Sequence, residues 1–288
     1  MIDPVERQLF IEGVFLKYGY DFRHYSKASF DRRLGNILDR EKCENLLQLL
    51  QLLLQDRTAF RRILSQMTIG TTEFFRDPLF FKALREKIFP VLATYPSLQM
   101  WVAGCSTGEE LYSLAILLKE SGLFEKTTIF ATDINPASLQ KARDGIFDNR
   151  AVQSFTRQYL QSGGKNPPSD YYTSNYGSAI FDSSLCDNVV FSEHNLATDA
   201  PFAEFHLIIC RNVLIYFDQN LQNRVFHLFQ ESLIERGFLG IGSKENLRFS
   251  QSYQHFSVLD EKQHCYQKKP TFELGGESLF ENSKRRPS

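Results

Sequence analysis

Long apolar runs are missing from this chain of 288 residues, and so is any N-terminal stretch with the order of charged, apolar and small residues that marks a secretory leader. The sequence therefore reads as neither membrane-spanning nor exported, and a cytoplasmic location without direct membrane insertion is expected. Cysteine is scarce. The five residues Cys43, Cys105, Cys186, Cys210 and Cys265 are odd in number, scattered and without a CxxC pair, which indicates neither a disulfide framework nor a zinc site. Buried reduced thiols are the expectation, and no metal. No charge of one sign dominates either: 33 basic residues face 34 acidic ones, so nothing global draws the chain to nucleic acid or an anionic membrane. Internal repeats are absent. What is present is enough apolar and aromatic material, 42% and 14%, to bury a full core, in a chain longer than a usual single domain.

The most informative stretch is Trp101-Val102-Ala103-Gly104-Cys105-Ser106-Thr107-Gly108-Glu109-Glu110, an apolar run that breaks into a small-residue turn and opens an amphipathic helix. A strand, a glycine turn and a helix N-terminus present free backbone N–H groups to a ligand above the turn. Glu109 and Glu110 would repel the pyrophosphate of a dinucleotide and suit a cation. S-adenosylmethionine carries a sulfonium and an ammonium and no phosphate. One strand later, the apolar run from Thr128 ends in Thr132-Asp133-Ile134-Asn135-Pro136. An acid at the end of the second strand of a βαβ unit is placed to hold a ribose hydroxyl pair. Asp133 equally suits an N-cap for the helix Pro136 to Arg143.

A third block, His206-Leu207-Ile208-Ile209-Cys210-Arg211-Asn212-Val213-Leu214-Ile215-Tyr216-Phe217, reads as a buried parallel strand that ends in polar residues where an open α/β sheet places its ligands. Together with Tyr112-Ser113, Asn195-Leu196 and the upstream Thr72-Glu73-Phe74-Phe75-Arg76-Asp77, these blocks resemble the signature segments of the CheR chemotaxis receptor methyltransferases. The resemblance is collinear from about Phe10 to Tyr266. It implies an α/β, Rossmann-like S-adenosylmethionine-dependent methyltransferase fold with a small β-subdomain insert, preceded by an all-α N-terminal domain. It implies transfer of a methyl group to glutamate carboxylates on the cytoplasmic helices of chemoreceptors, the methyl-accepting proteins, with S-adenosylhomocysteine as product, and a monomeric enzyme. It places Thr72, Arg76, Ala103, Glu109, Asp133, Asn195, Leu196, Arg211 and Asn212 against the cofactor, and Arg76 and Tyr216 beside the reacting carboxylate. Read without it, Arg76 suits a surface salt bridge to Asp77 or Glu73, and Tyr216 a half-buried packing aromatic.

The chain divides accordingly into a helical domain over 1–67, a linker and start of the catalytic domain over 68–90, and a methyltransferase domain over 91–269. A small β insert is expected near 165–187 and a disordered tail over 270–288. In the first domain, Val5 to Tyr18, Ser29 to Cys43 and Asn45 to Ser65 show helical periodicity. The leucines between Leu46 and Leu54 are too dense for a one-sided helix, and suggest core between this domain and its neighbour. Lys27, Arg32, Arg33, Arg40 and Lys42 cluster around the second helix among Asp31, Asp39 and Glu41, which reads as solvated surface. The resemblance links such a helix instead to docking on acidic receptor helices. From Met100 onward strands and helices alternate, predicting a mainly parallel sheet with helices on both faces.

Three positions depart from the family pattern: Gly70 where an asparagine is common, His206 where an aspartate is usual, and Gly242-Ser243-Lys244-Glu245-Asn246-Leu247 in place of Gly-His-Ser-Glu. The first bears on cofactor affinity and the others on packing. Two further readings stay open: a related methyltransferase acting on another protein or a small carboxylate, and a cofactor-binding module for interaction or sensing.

Overall fold

The structure, a computed structural model, describes residues 2–68, 72–175 and 177–271. The expected tail lies outside the described residues from 272 onward, as does Gly70. Four helices form the N-terminal domain: α1 Pro4–Tyr18, α2 Lys27–Glu41, α3 Leu46–Gln55 and α4 Arg57–Met67. Asp3 caps α1 by accepting from the Val5 and Glu6 amides, and Gly19 ends it with a left-handed φ of 78°. The single helix expected over Asn45 to Ser65 is two. Asp56, extended at φ −126°, closes α3 and caps α4 through the Thr58 amide, a break that the apolar periodicity on either side conceals. Leu46, Leu49 and Leu53 lie in this domain's own core with Phe10, Phe30 and Ile63, not between domains, while Leu47 and Leu54 are exposed.

The second domain opens with α5 Pro78–Ala83, a π-turn over Leu84–Ile88 and α6 Phe89–Leu92. Then follow β1 Leu98–Ala103, α7 Glu109–Glu120, β2 Thr127–Asp133, α8 Pro136–Asp144, β3 Ile146–Asp148 and α9 Phe155–Gln161. Next come β4 Tyr172–Asn175, β5 Ser178–Phe181, β6 Val189–Glu193, β7 Phe205–Cys210, α10 Gln219–Ser232, β8 Leu233–Ile241, β9 Phe256–Asp260 and β10 Cys265–Lys268. The main sheet runs β6-β2-β1-β7-β8-β10-β9, parallel through β8 and antiparallel at β10 and β9. Strand β1 is buried on both faces. Met100 and Val102 pack in one layer with α7, whereas Trp101 and Ala103 pack in the other with α10. A second, antiparallel sheet β3-β5-β4 forms the small subdomain, and its β3 comes from before the segment the composition marks.

The chain reverses at the glycine turn because two glycines permit it. Gly104 has φ 73°, and a Cβ there would meet Val213 at 2.6 Å; Gly108 has φ 103°, and a Cβ would meet the Ala142 backbone at 3.0 Å. A Gly108→Ala variant is expected to lose about 2 kcal/mol of stability from strain in this region of φ and the displaced α8. Equilibrium urea unfolding measures it, and an unchanged midpoint would show that the turn tolerates a side chain.

Candidate active site

A cavity of about 950 Å³, counting its open mouth, lies over the C-terminal ends of β1, β2 and β7, where an open α/β sheet places ligands. Its wall brings together Thr72, Arg76, Asp133, Asn195, Leu196, Arg211, Asn212 and Tyr216, eight of the residues singled out from the sequence, with Gly104, Cys105, Ser106 and Glu110 from the glycine turn. Ala103 and Glu109 stand behind this wall. Ala103 packs in the α10 layer, and the Glu109 carboxylate turns to the Thr107 hydroxyl at 2.7 Å.

Asp133 ends β2 with one oxygen accepting from the Ser106 amide and the other from the Asn135 amide, both at 2.9 Å. Each oxygen keeps a further acceptor site. Burial raises its pKa against those amides. It is not the cap of α8, because Asn135 fills that role by accepting from the Ala137 amide at 3.0 Å. The N–H groups that fix Asp133 thus belong to the two turns that frame the cavity.

Arg211, at the end of β7, has a side chain only 1% exposed. It pairs with Glu110 at 2.6 Å and Asp77 at 2.7 Å, donates to the Arg76 carbonyl at 2.9 Å and lies 4.3 Å from the centroid of the Phe80 ring. Burial raises the pKa of Glu110, opposed by Arg211. The pair of acids at the start of α7 is therefore not a doubly negative wall: one is matched by a guanidinium, and the other faces away. On either side of Arg76, Phe75 and Asp77 adopt left-handed φ values of 50° and 56°. The Phe75 amide is held by the Ser113 hydroxyl at 2.8 Å and Asp77 by Arg211, so surrounding contacts offset the strain. Asp77 thus pairs with Arg211, and Glu73 accepts from Gln158.

Asn212, with φ 61°, follows Arg211 into a loop held from below by Glu245, whose carboxylate accepts from Val213 at 2.9 Å, Leu214 at 2.7 Å and Gly242 at 2.5 Å. The Gly-Ser-Lys-Glu departure keeps the acid that does this, and Ser243 and Lys244 point to solvent. His206 accepts from the Gln99 amide at 3.1 Å, edge-on to Tyr95, away from the cavity; burial lowers its pKa.

The sequence did not single out Tyr25, Thr68, Ser138 or His194, which also line the cavity, and placed Arg33 on a charged surface. Arg33 instead points inward. It donates to the Met67 carbonyl and, at 2.8 Å, to the Ser29 hydroxyl, and lies 4.9 Å from the centroid of the Tyr216 ring. Burial lowers its pKa. The signal was a helical one: Arg33 is three residues from Phe30 and one from Leu34, both buried, so it borders the apolar face of α2. Lys27, Arg32, Arg40 and Lys42 are exposed.

The site's chemistry fits a nucleoside with a charged tail. Asp133 offers two acceptor sites to a hydroxyl pair. The buried Arg211 Nε and Ser106 Oγ make no hydrogen bond to protein, and the glycine turn brings bare backbone to the wall. Among the described residues no group of three or more His, Cys, Asp or Glu could hold a metal ion.

The fold is Rossmann-like, an open and mainly parallel α/β sheet with the cavity over its strand ends. The family model for the CheR methyltransferase SAM-binding domain matches residues 70–265, and that for the CheR all-alpha domain matches residues 6–68. The chain belongs to the CheR methyltransferase family, and its cofactor is S-adenosylmethionine. It is 48% identical over 92% of its length to a Pseudomonas putida protein named "Putative methyltransferase Cher3", covering 97% of that protein. It is 30% identical to the chemotaxis protein methyltransferase of Listeria monocytogenes, over 80% of this chain and 85% of that one. The corresponding Borreliella burgdorferi protein is 29% identical over 85% and 89%. Among the described residues no helix is long and apolar enough to cross a membrane.

Burial, partly offset by the Thr107 hydroxyl, pushes the Glu109 carboxyl from 4.5 up to about 7. Between these values the folded chain holds a proton that the unfolded chain has released, so stability falls as pH rises through the window. Glu109→Gln removes this titration. The variant is expected to gain on the order of 2–3 kcal/mol over wild type between pH 5 and pH 8, read from urea unfolding at both values. A pH-independent difference would mean that Glu109 ionises as an exposed carboxyl does.

Proposed function

We propose that this chain transfers the methyl group of S-adenosylmethionine to glutamate side chains on the cytoplasmic helices of chemoreceptors. The observation that carries the reading is that one cavity holds Asp133, Asn195, Leu196, Arg211 and Asn212 together with Arg76 and Tyr216. The bound cofactor supplies a sulfonium methyl group, whose S–C bond breaks as the O–C bond of the ester forms. A glutamate side chain is already ionised near neutral pH, so no residue has to remove a proton. Because opposite charges cancel toward the transition state, counter-charges pressed on them would favour the ground state, and alignment and water exclusion become the means of catalysis. Asp133 holds the ribose hydroxyls, with Thr72, Asn195, Leu196, Arg211 and Asn212 along the cofactor. The Arg76 guanidinium orients the acceptor carboxylate, a contact whose gain is alignment rather than charge stabilisation of the transition state, and Tyr216 stands at the mouth of the site. The chemotaxis methyltransferases among the relatives support this acceptor class.

Calorimetry is expected to show binding of S-adenosylmethionine and S-adenosylhomocysteine and none of NAD. Tritiated methyl from the cofactor should enter the membranes of cells that express the chain, as a base-labile ester; base-stable label would point to another acceptor chemistry.

Asp133→Ala is expected to weaken S-adenosylhomocysteine binding about tenfold or more, since two hydrogen bonds to a charged group are lost. Arg76→Ala should instead lower turnover at saturating cofactor by about two orders of magnitude through misalignment. Unchanged saturating turnover in the Arg76 variant would remove it from the acceptor site.

A further inference from the structure

The helical domain reaches the acceptor side of the site through one short segment. Residues 24–26 run antiparallel to residues 216–218: the Ser26 amide donates to the Tyr216 carbonyl at 2.7 Å, and the Asp218 amide donates to the His24 carbonyl at 2.8 Å. The bridge is centred on Tyr25 opposite Phe217, whose ring centroids lie 5.1 Å apart, edge to face. Two hydrogen bonds do not hold a bridge by themselves in water. A side-chain contact closes it: His24 Nδ1 lies 2.8 Å from Asp218 Oδ2, and since a carboxylate only accepts, the imidazole donates. The other oxygen of Asp218 accepts from the Leu221 amide at 2.9 Å and caps α10. One carboxylate therefore ties the helical domain, the strap after Tyr216 and the start of α10 together.

His24 itself does not face the cavity. It borders a separate cleft with Asp21, Ala197, Asn220, Leu221 and Arg224. It is half-exposed, so its contact contributes little to global stability. Yet the loop it secures carries Tyr216, and small displacements of an aligned group cost rate far more than they cost stability. The rest of the loop is held from within the catalytic domain, by Glu245 at Val213 and Leu214 and by Gln222 of α10 at the Leu214 and Phe217 carbonyls, so the Tyr216 carbonyl and the Asp218 amide are the backbone groups that the helical domain holds.

We infer that His24 is a positioning residue for methyl transfer: its contact with Asp218 clamps the strap of residues 216–218, and through it the helical domain sets Tyr216 at the acceptor mouth without touching the cofactor. This rests on the reading of Tyr216 as an acceptor-side residue. Three variants of the full chain test it: His24→Ala, His24→Gln, which keeps a donor, and Asp218→Asn. In His24→Ala, the amides of Ser26 and Asp218 should exchange with deuterium about tenfold faster. The initial rate of base-labile methyl transfer to membranes at saturating cofactor should fall about fivefold, with S-adenosylhomocysteine affinity unchanged. His24→Gln should recover most of both effects. His24→Ala should add no further rate loss in the Asp218→Asn background.

Faster exchange with an unchanged rate would make the bridge structural only and overturn the inference, as would a loss of cofactor affinity that accounts for the rate. If wild type labels no membrane, the chemoreceptor reading fails. The clamp then stands or falls on exchange: unchanged protection in His24→Ala overturns it, and faster exchange reversed by His24→Gln supports it.

Discussion

The rest of this site depends on burying the guanidinium of Arg211. A charge withdrawn this far from water is tolerated only with close partners, since an unpaired one costs several kcal/mol. The partners come from three places: Glu110 from the first turn of α7, Asp77 and the Arg76 carbonyl from the turn before α5, and the face of Phe80. Any arrangement that separated α7 from that turn would strand the charge. The same requirement holds Asp77 in left-handed backbone, while the Ser113 hydroxyl holds Phe75, and the two together fix how Arg76 is presented to the cavity.

A second constraint acts on the backbone after Arg211. Within residues 212–217 the Tyr216 and Phe217 amides close a 3₁₀ turn onto the Val213 and Leu214 carbonyls, and the amides before them must find partners elsewhere. Glu245 accepts from two of them, and residues 24–26 of the helical domain pair with the Tyr216 carbonyl and the Asp218 amide. The N-terminal domain is consequently part of the wall rather than an appendage. Tyr25, Arg33 and Thr68 line the cavity, and Thr68 accepts from Asn135, the cap of α8.

These constraints leave a cavity whose charge is mostly settled before a ligand arrives. Glu110 is matched by Arg211, and burial favours the neutral form of Glu109 behind the wall. Asp133 is the carboxylate left with acceptor capacity toward the interior. The expectation that two acids at the start of α7 would greet a cation together fails for a packing reason: successive residues on a helix point about 100° apart, so Glu109 and Glu110 cannot share one face.

The sequence by itself determined the elements whose signals are local. The glycine turn at Gly104 and Gly108 needs φ values that other residues rarely adopt, the alternating strands and helices from Met100 follow from apolar pattern, and the polar ends of β2 and β7 fall on the wall of the cavity. The division into a helical and an α/β domain was legible for the same reason. Local pattern did not reveal the break at Asp56, because a cap in a leucine-rich stretch leaves the apolar period almost intact. It did not mark α10 or β8 to β10, nor the origin of β3, which pairs with β5 from the far side of α9. Only the tertiary structure decided which charges are buried together. Arg211 meets Glu110 and Asp77 from more than a hundred residues away, Arg33 turns from an apparently solvated helix onto Tyr216, and His24 reaches Asp218. Such pairings depend on long-range packing and the dielectric it creates, and neither leaves a periodic trace in the sequence.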